Sequence, residues 1–133
     1  MSVQTAIRVH LPNRPDELAS MAKWLAQAGV NIESIAGVSG EEAGTHEILV
    51  NYPSLALSAL RDAGIPFEQS RVALAWLPNR PGTFASATQA LADASIDIDT
   101  SYVVRTEGDQ FLVAFASPAA DRADSILSAL TYN

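Results

Sequence analysis

The sequence contains no cysteine, which excludes disulfides, thiolate nucleophiles and sulfur-ligated metal sites. Basic residues are scarce: eight lysines and arginines against fifteen aspartates and glutamates leave a formal charge of −7. The cations are scattered from Arg8 to Arg122 without forming a stripe. Neither nucleic acid nor a membrane surface is an expected partner. Long apolar runs are missing too. The longest, such as Phe111 to Ala116, fall far short of the ~18 residues a membrane-spanning helix needs. Residues 1–5 carry neither the basic nor the apolar region of an export signal, so a cytoplasmic protein is expected. Only two histidines occur, His10 and His46, and neither has a second metal-ligand pattern near it. No metal and no cofactor are expected. No nucleophile with an adjacent base and no convergent acid–base pair stands out, and the expectation is a protein that is not an enzyme.

What is present is a repeat. Leu11-Pro-Asn-Arg-Pro15 recurs letter for letter as Leu77-Pro-Asn-Arg-Pro81, 66 positions further on. The match continues through Ala19/Ala85, Ser20/Ser86, Leu25/Leu91, Ala26/Ala92, Ala28/Ala94 and Ile32/Ile98. Two copies of that period account for nearly all of the 133 residues, so the chain is a duplication.

Each copy reads as the same succession of elements. Val3, Thr5, Ile7, Val9 and Leu11 alternate with more polar neighbours, the period of a strand. Asn13-Arg-Pro15 makes a turn in which proline sets φ for a helix. From Asp16 the residues Leu18, Met21, Ala22 and Leu25 keep helical spacing, and Gly29 ends the helix. Strands follow over 31–38 and 45–52, joined by a hairpin loop. A second helix starts at Pro53 and stops at Gly64. The second copy repeats the order, with a helix over about 82–94, strands over about 97–105 and 110–116, and a last helix starting at Ser117-Pro118. Serine 117 is the expected N-cap of that helix.

The order is βαββα, twice. Phe67 to Leu77 is long enough to close the first unit as a fourth strand and then open the second. The fold class expected is therefore α+β: two ferredoxin-like βαββαβ units, residues 1–70 and 71–133, each an antiparallel sheet with helices on one face. The early part of the N-terminal strand stands at the repeat position of Phe67–Leu77 and is expected to supply the second unit's missing edge. Units of this size bury only about 60% of their surface, so the halves should depend on one another.

The segments Leu77-Pro-Asn-Arg-Pro-Gly82-Thr-Phe-Ala and Ala90-Leu-Ala-Asp-Ala-Ser-Ile96-Asp-Ile98, with their counterparts from Leu11 and Trp24, resemble the ACT domain signature. That signature is a strand, an Asp/Asn-Arg-Pro-Gly turn, an amphipathic helix, then Gly-Ile/Val-Asn-Ile opening the second strand. The resemblance covers both repeats. It implies a regulatory module that binds a small molecule, usually an amino acid, where two such units meet side by side. A helix N-terminus with free N–H groups suits a carboxylate, and glycine lets the backbone approach it.

Carried onto this sequence, the ligand-binding residues are Asn79, Arg80, Pro81, Gly82 and Thr83 from one unit, and Asn31 and Ile32 from the other. The opposite combination, Asn13, Asp16 and Asp97, places two carboxylates where an anion should dock and is expected to be the weaker second site. Asn13 and Asn79 can equally be read as turn-forming residues. A homodimer through the face carrying Leu74 and Trp76 is expected. An alternative role is a regulatory subunit that docks on a separate enzyme of amino-acid biosynthesis.

Overall fold

The computed structural model describes residues 3–132. The elements are β1 (Val3–Pro12), α1 (Pro15–Gln27), β2 (Ile32–Ser39), β3 (Ala43–Val50), α2 (Pro53–Asp62), β4 (Phe67–Pro78), α3 (Thr83–Asp93), β5 (Thr100–Glu107), β6 (Gln110–Ala116) and α4 (Ala120–Ser128). They sort into two compact units. One spans residues 5–69, and the other runs from residue 70 onward and takes in residues 3–4. The division therefore falls inside two strands, β1 and β4, and each contributes to both units.

In the first unit the strands order as β2-β3-β1, with the start of β4 beside β1, which is a ferredoxin-like βαββαβ arrangement. The His10 N–H donates to Pro66 O at 2.9 Å where the chain approaches β4. Ile7 lies opposite Ile48 and Val9 opposite His46, both antiparallel. Ile7, Val9, Leu11, Ile48 and Val50 face Met21 and Leu25 of α1 and Ala56 and Leu60 of α2, so both helices cover the same side of the sheet. On the other side Arg8 stands opposite Glu47 and donates from Nε to Oε1 at 3.0 Å. Glu47 is only 2% exposed. A buried carboxylate persists because it is ion-paired and hydrogen-bonded.

The second unit pairs β4, β6 and β5 in that order. Its core joins Ala73, Leu77, Val113 and Phe115 to Ala87 and Leu91 of α3 and Ala123 and Leu127 of α4. On the side away from the helices Val72, Leu112 and Ala114 are buried, whereas Trp76 stays 37% exposed with the Arg105 guanidinium 5.3 Å from its ring centroid.

The helix ends follow from local chemistry. Helices α1 and α2 begin with proline in their first turn, where the missing N–H removes a donor that would have no helical partner. At the end of α1 Gly29 adopts φ +78°, and the Val30 N–H reaches back to Leu25 O at 2.9 Å. The equivalent turn after α3 is built by Ser95 at φ +57°, with Ile96 N–H on Leu91 O at 3.0 Å. The last helix begins later than the sequence suggests, at Ala120. Ser117 does not cap it directly. Its Oγ accepts the Ala119 N–H at 3.1 Å in a short turn that precedes the helix.

Candidate functional site

Strand β4 runs into the turn that the sequence singles out. Asn79 N–H donates to Asp109 O at 2.7 Å, anchoring the turn to the β5–β6 hairpin. The Thr83 hydroxyl, 4% exposed as a residue, donates to Pro78 O at 2.7 Å and lies 3.1 Å from Arg80 O. These bonds close the loop from the inside. Gly82 is the N-cap of α3 at φ +93°, a left-handed conformation that any side chain would strain. No side chain caps this helix, and its first turn holds no acid. Among the described residues no side chain therefore offsets the positive end of α3.

Arg80, Pro81, Gly82, Thr83 and Ser86, with Thr131 and Tyr132, line an open cavity of about 290 Å³. Among the described residues no carboxylate lines it. Asn79 is exposed and stands outside this lining, and among the described residues its amide makes no side-chain hydrogen bond. Tyr132 was not singled out by the motif. Its hydroxyl is buried without a hydrogen-bond partner among the described residues, and burial pushes its pKa above the usual phenol value. The signal that could have found it is its repeat position, which matches Pro66 at the corresponding turn of the first unit.

The first unit's turn has the same backbone anchor and different chemistry. Asn13 N–H donates to Glu42 O at 2.9 Å. The Asn13 amide is committed as well, donating from Nδ2 to Gly40 O at 2.7 Å, so this residue ties the turn to the β2–β3 hairpin and caps no helix. Arg14 is the N-cap in extended conformation, followed by Pro15 and then Asp16 and Glu17 in the first turn. Arg14 Nη2 meets Glu17 Oε1 at 2.8 Å. The helix end therefore carries its own acids, and its nearest cation is already paired.

Asn31 precedes β2, with its N–H donating to Asn51 Oδ1 at 2.9 Å and its carbonyl accepting the Asn51 N–H at 3.2 Å. That fixes its backbone and leaves the side chain exposed. Ile32 packs against the first core. Asp97 is exposed before β5, between the better-buried Ile96 and Ile98. Within either unit the turn and the start of the second strand sit at opposite ends of a helix. At 1.5 Å per residue that separation is roughly 15–20 Å. No single unit brings the two halves of the motif together. Among the described residues no cluster of metal-ligating side chains occurs, and no helix is long and apolar enough to cross a membrane.

Comparison with known proteins gives this geometry a context. A family described as ACT domain pair matches residues 1–132. A search of curated protein sequences finds no match. Among solved structures, protein BT0572 from Bacteroides thetaiotaomicron is similar with a TM-score of 0.86 at 20% identity, covering 96% of this chain and 88% of that one. The ligand-free regulatory subunit of aspartate kinase from Thermus thermophilus is similar at 0.68 and 19% identity, covering 96% of each chain. The corresponding subunit from Thermus flavus reaches 0.60 at 15% identity, covering 96% of this chain and 95% of that one. At such identities the likeness is one of fold.

Proposed function

Because the chain belongs to the ACT domain pair family, we propose that it is a non-catalytic regulatory module that binds an amino acid through the Asn79–Thr83 turn. The observation that carries this reading is the contrast between the two turns. The second presents a helix N-terminus behind Gly82 with no side-chain cap and no acid in its first turn, and among the described residues no carboxylate lines its cavity. The first presents Asp16 and Glu17 in the first turn of its helix. A ligand carboxylate gains charge-assisted hydrogen bonds of about 1.5–3 kcal/mol each at the second turn, and meets negative charge at the first. Asn31 is the proposed second contact, with its backbone held and its amide exposed, and Asp97 marks the weaker counterpart. The reading includes a cytoplasmic homodimer, for which the half-exposed Trp76 is the candidate contact.

A thermal-shift screen against the twenty amino acids tests the proposal. A ligand at 100 times its dissociation constant stabilises the folded state by about 2.7 kcal/mol, enough to raise Tm by several degrees. Twenty amino acids without effect would remove that ligand class. The regulatory subunits of aspartate kinase that share this fold favour a second reading, in which the chain regulates a separate enzyme. Co-purification of such an enzyme with the tagged chain would distinguish the two.

A further inference from the structure

The outer surface of α1 is self-complementary in charge. Met21 and Leu25 turn inward to the core, so residues on the opposite side of the helix face solvent. Asp16, Ala19, Lys23 and Ala26 stand there, all exposed and at helical spacing. Asp16 lies in the first turn, where its charge suits the helix N-terminus, and Lys23 lies two turns further on. Lys23 is the only lysine in the chain. Among the described residues neither side chain has an ion-pair or hydrogen-bond partner, whereas Arg14 and Glu17 nearby are bonded to each other. Seven positions separate acid from base, about 10 Å along the axis. Two copies of α1 laid antiparallel about a twofold axis at residues 19–20 bring each Asp16 level with the other copy's Lys23. Ala19 sits at that axis, and its small side chain lets the helices approach to about 8 Å.

Beside these charges the surface is apolar. Trp24 on α1, and Tyr52 and Leu55 at the start of α2, are each about half exposed. The paired backbone bonds between Asn31 and Asn51 tie the end of α1 to the start of α2, so these side chains belong to one helical layer. The register that pairs the charges also sets Trp24 level with the other copy's Pro15. The second unit has none of this. Gly82, Gln89 and Ala90 stand at the repeat positions of Asp16, Lys23 and Trp24. Gln89 is engaged within its own helix, donating from Nε2 to Asp93 Oδ1 at 2.8 Å. At the start of α4, Arg122 turns back to the end of α3 and donates from Nη2 to Ala94 O at 3.1 Å. Complementary charges and an exposed indole therefore occur together on α1 and not on α3.

We propose that a second copy of this chain docks on the first unit's helical layer, α1 against α1 in antiparallel register, held by two Asp16–Lys23 ion pairs around Ala19 and covering Trp24. Two copies of a chain with a net charge of −7 repel at long range, and a face on which each acid meets a base is where they can touch. A contact about one helix wide is small for a specific interface, so the association is weak and reversible. It uses neither the Asn79–Thr83 turn nor Trp76, and stands or falls independently of both.

Sedimentation velocity over a concentration series at low ionic strength tests it. Trp76→Arg, which breaks the other proposed contact, is the background, and the same series in the parent chain guards against a loss of fold in that variant. Both chains should self-associate. Asp16→Lys and Lys23→Asp each set like charges face to face at both ends of the contact, and each should raise the dissociation constant at least about tenfold. The double variant Asp16→Lys with Lys23→Asp exchanges the signs and should return to within about threefold of the starting value. Salt should weaken the unsubstituted contact and the double variant but strengthen the single variants, because it screens attraction and repulsion alike. Ala19→Arg keeps both charges, holds the helices apart and should abolish the association. The substituted positions on α1 are exposed, and circular dichroism should show every variant folded. Single variants that associate as before, a double variant that does not recover, or a Trp76→Arg chain that is folded and monomeric at every concentration overturns the proposal. The last of these leaves the Trp76 contact standing.

Discussion

Arg71 closes on Asp121 through two hydrogen bonds, Nη1 to Oδ2 at 2.7 Å and Nη2 to Oδ1 at 3.2 Å. The pair ties β4 to the first turn of α4. The hydrogen bonds from Arg71 hold the Asp121 carboxyl below its usual range. A carboxylate whose folded value is depressed stabilises the protein fully above its unfolded value, and that contribution is lost as pH falls through the folded one. Both side chains are exposed, so the effect is small. Asp121→Asn should unfold at a lower urea midpoint than the parent at neutral pH, and the difference should vanish on acidification below the lowered value. A difference that persists into acid would assign the loss to something other than the ion pair.

The ligand turn is tested by separating strain from charge. Gly82→Ala imposes a left-handed backbone on a side chain, at about 1–2 kcal/mol. Gly82→Asp adds a negative charge at the helix N-terminus. The aspartate variant should bind the screened amino acid at least about tenfold more weakly than the alanine variant, the loss of one charge-assisted bond. Asp16→Gly should leave binding intact or open a second site. Isothermal titration reads all three. Equal binding by Gly82→Asp and Gly82→Ala would show that no anion docks there.

Ser95 occupies the left-handed position that Gly29 holds in the other unit. Ser95→Gly should relieve that strain and stabilise the protein by about 0.5–1 kcal/mol, allowing for the greater freedom of glycine in the unfolded chain. Thermal unfolding checks it. Gly29→Ser should err by a similar amount in the opposite direction.

Gly37 and His46 form a second matched pair. Gly37→Ala forces the imidazole aside and should cost about 1–3 kcal/mol. The double variant Gly37→Ala with His46→Val should recover most of it, because the smaller side chain removes the overlap. Additive losses in this cycle, measured by urea denaturation, would mean that the ring is not what the new Cβ meets.

Trp76 is the proposed self-association contact. Trp76→Arg places a charge where an apolar surface should be covered, and it also breaks the stacking with Arg105. Sedimentation velocity should show a higher monomer fraction. A parent protein that is monomeric at high concentration would dispose of the homodimer.

The repeat and its alternating and helical periods made the succession of elements legible, because each copy writes its strand, proline turn and amphipathic helix in local chemistry. Positions that depend on strand register were not. Glu47 reads as a surface acid until Arg8 is known to stand opposite it, and that pairing joins residues 39 apart. At the candidate site Asn13 could be read as turn-former or ligand contact. The bond to Gly40 commits it to the turn and leaves Asn79 as the uncommitted copy. Tyr132 escaped notice because it lies outside the motif and reaches the cavity only through the path of the chain after α4.

The repeat and the folding unit have different boundaries. Copying sets one at a 66-residue period, whereas packing assigns residues 3–4 to the later unit and residues 67–69 to the earlier one. A genetic break at the repeat boundary would therefore take from each half a piece of strand that the other half's fold uses. Shuffling one copy onto another protein, or losing one by deletion, leaves a remainder with an unfinished sheet.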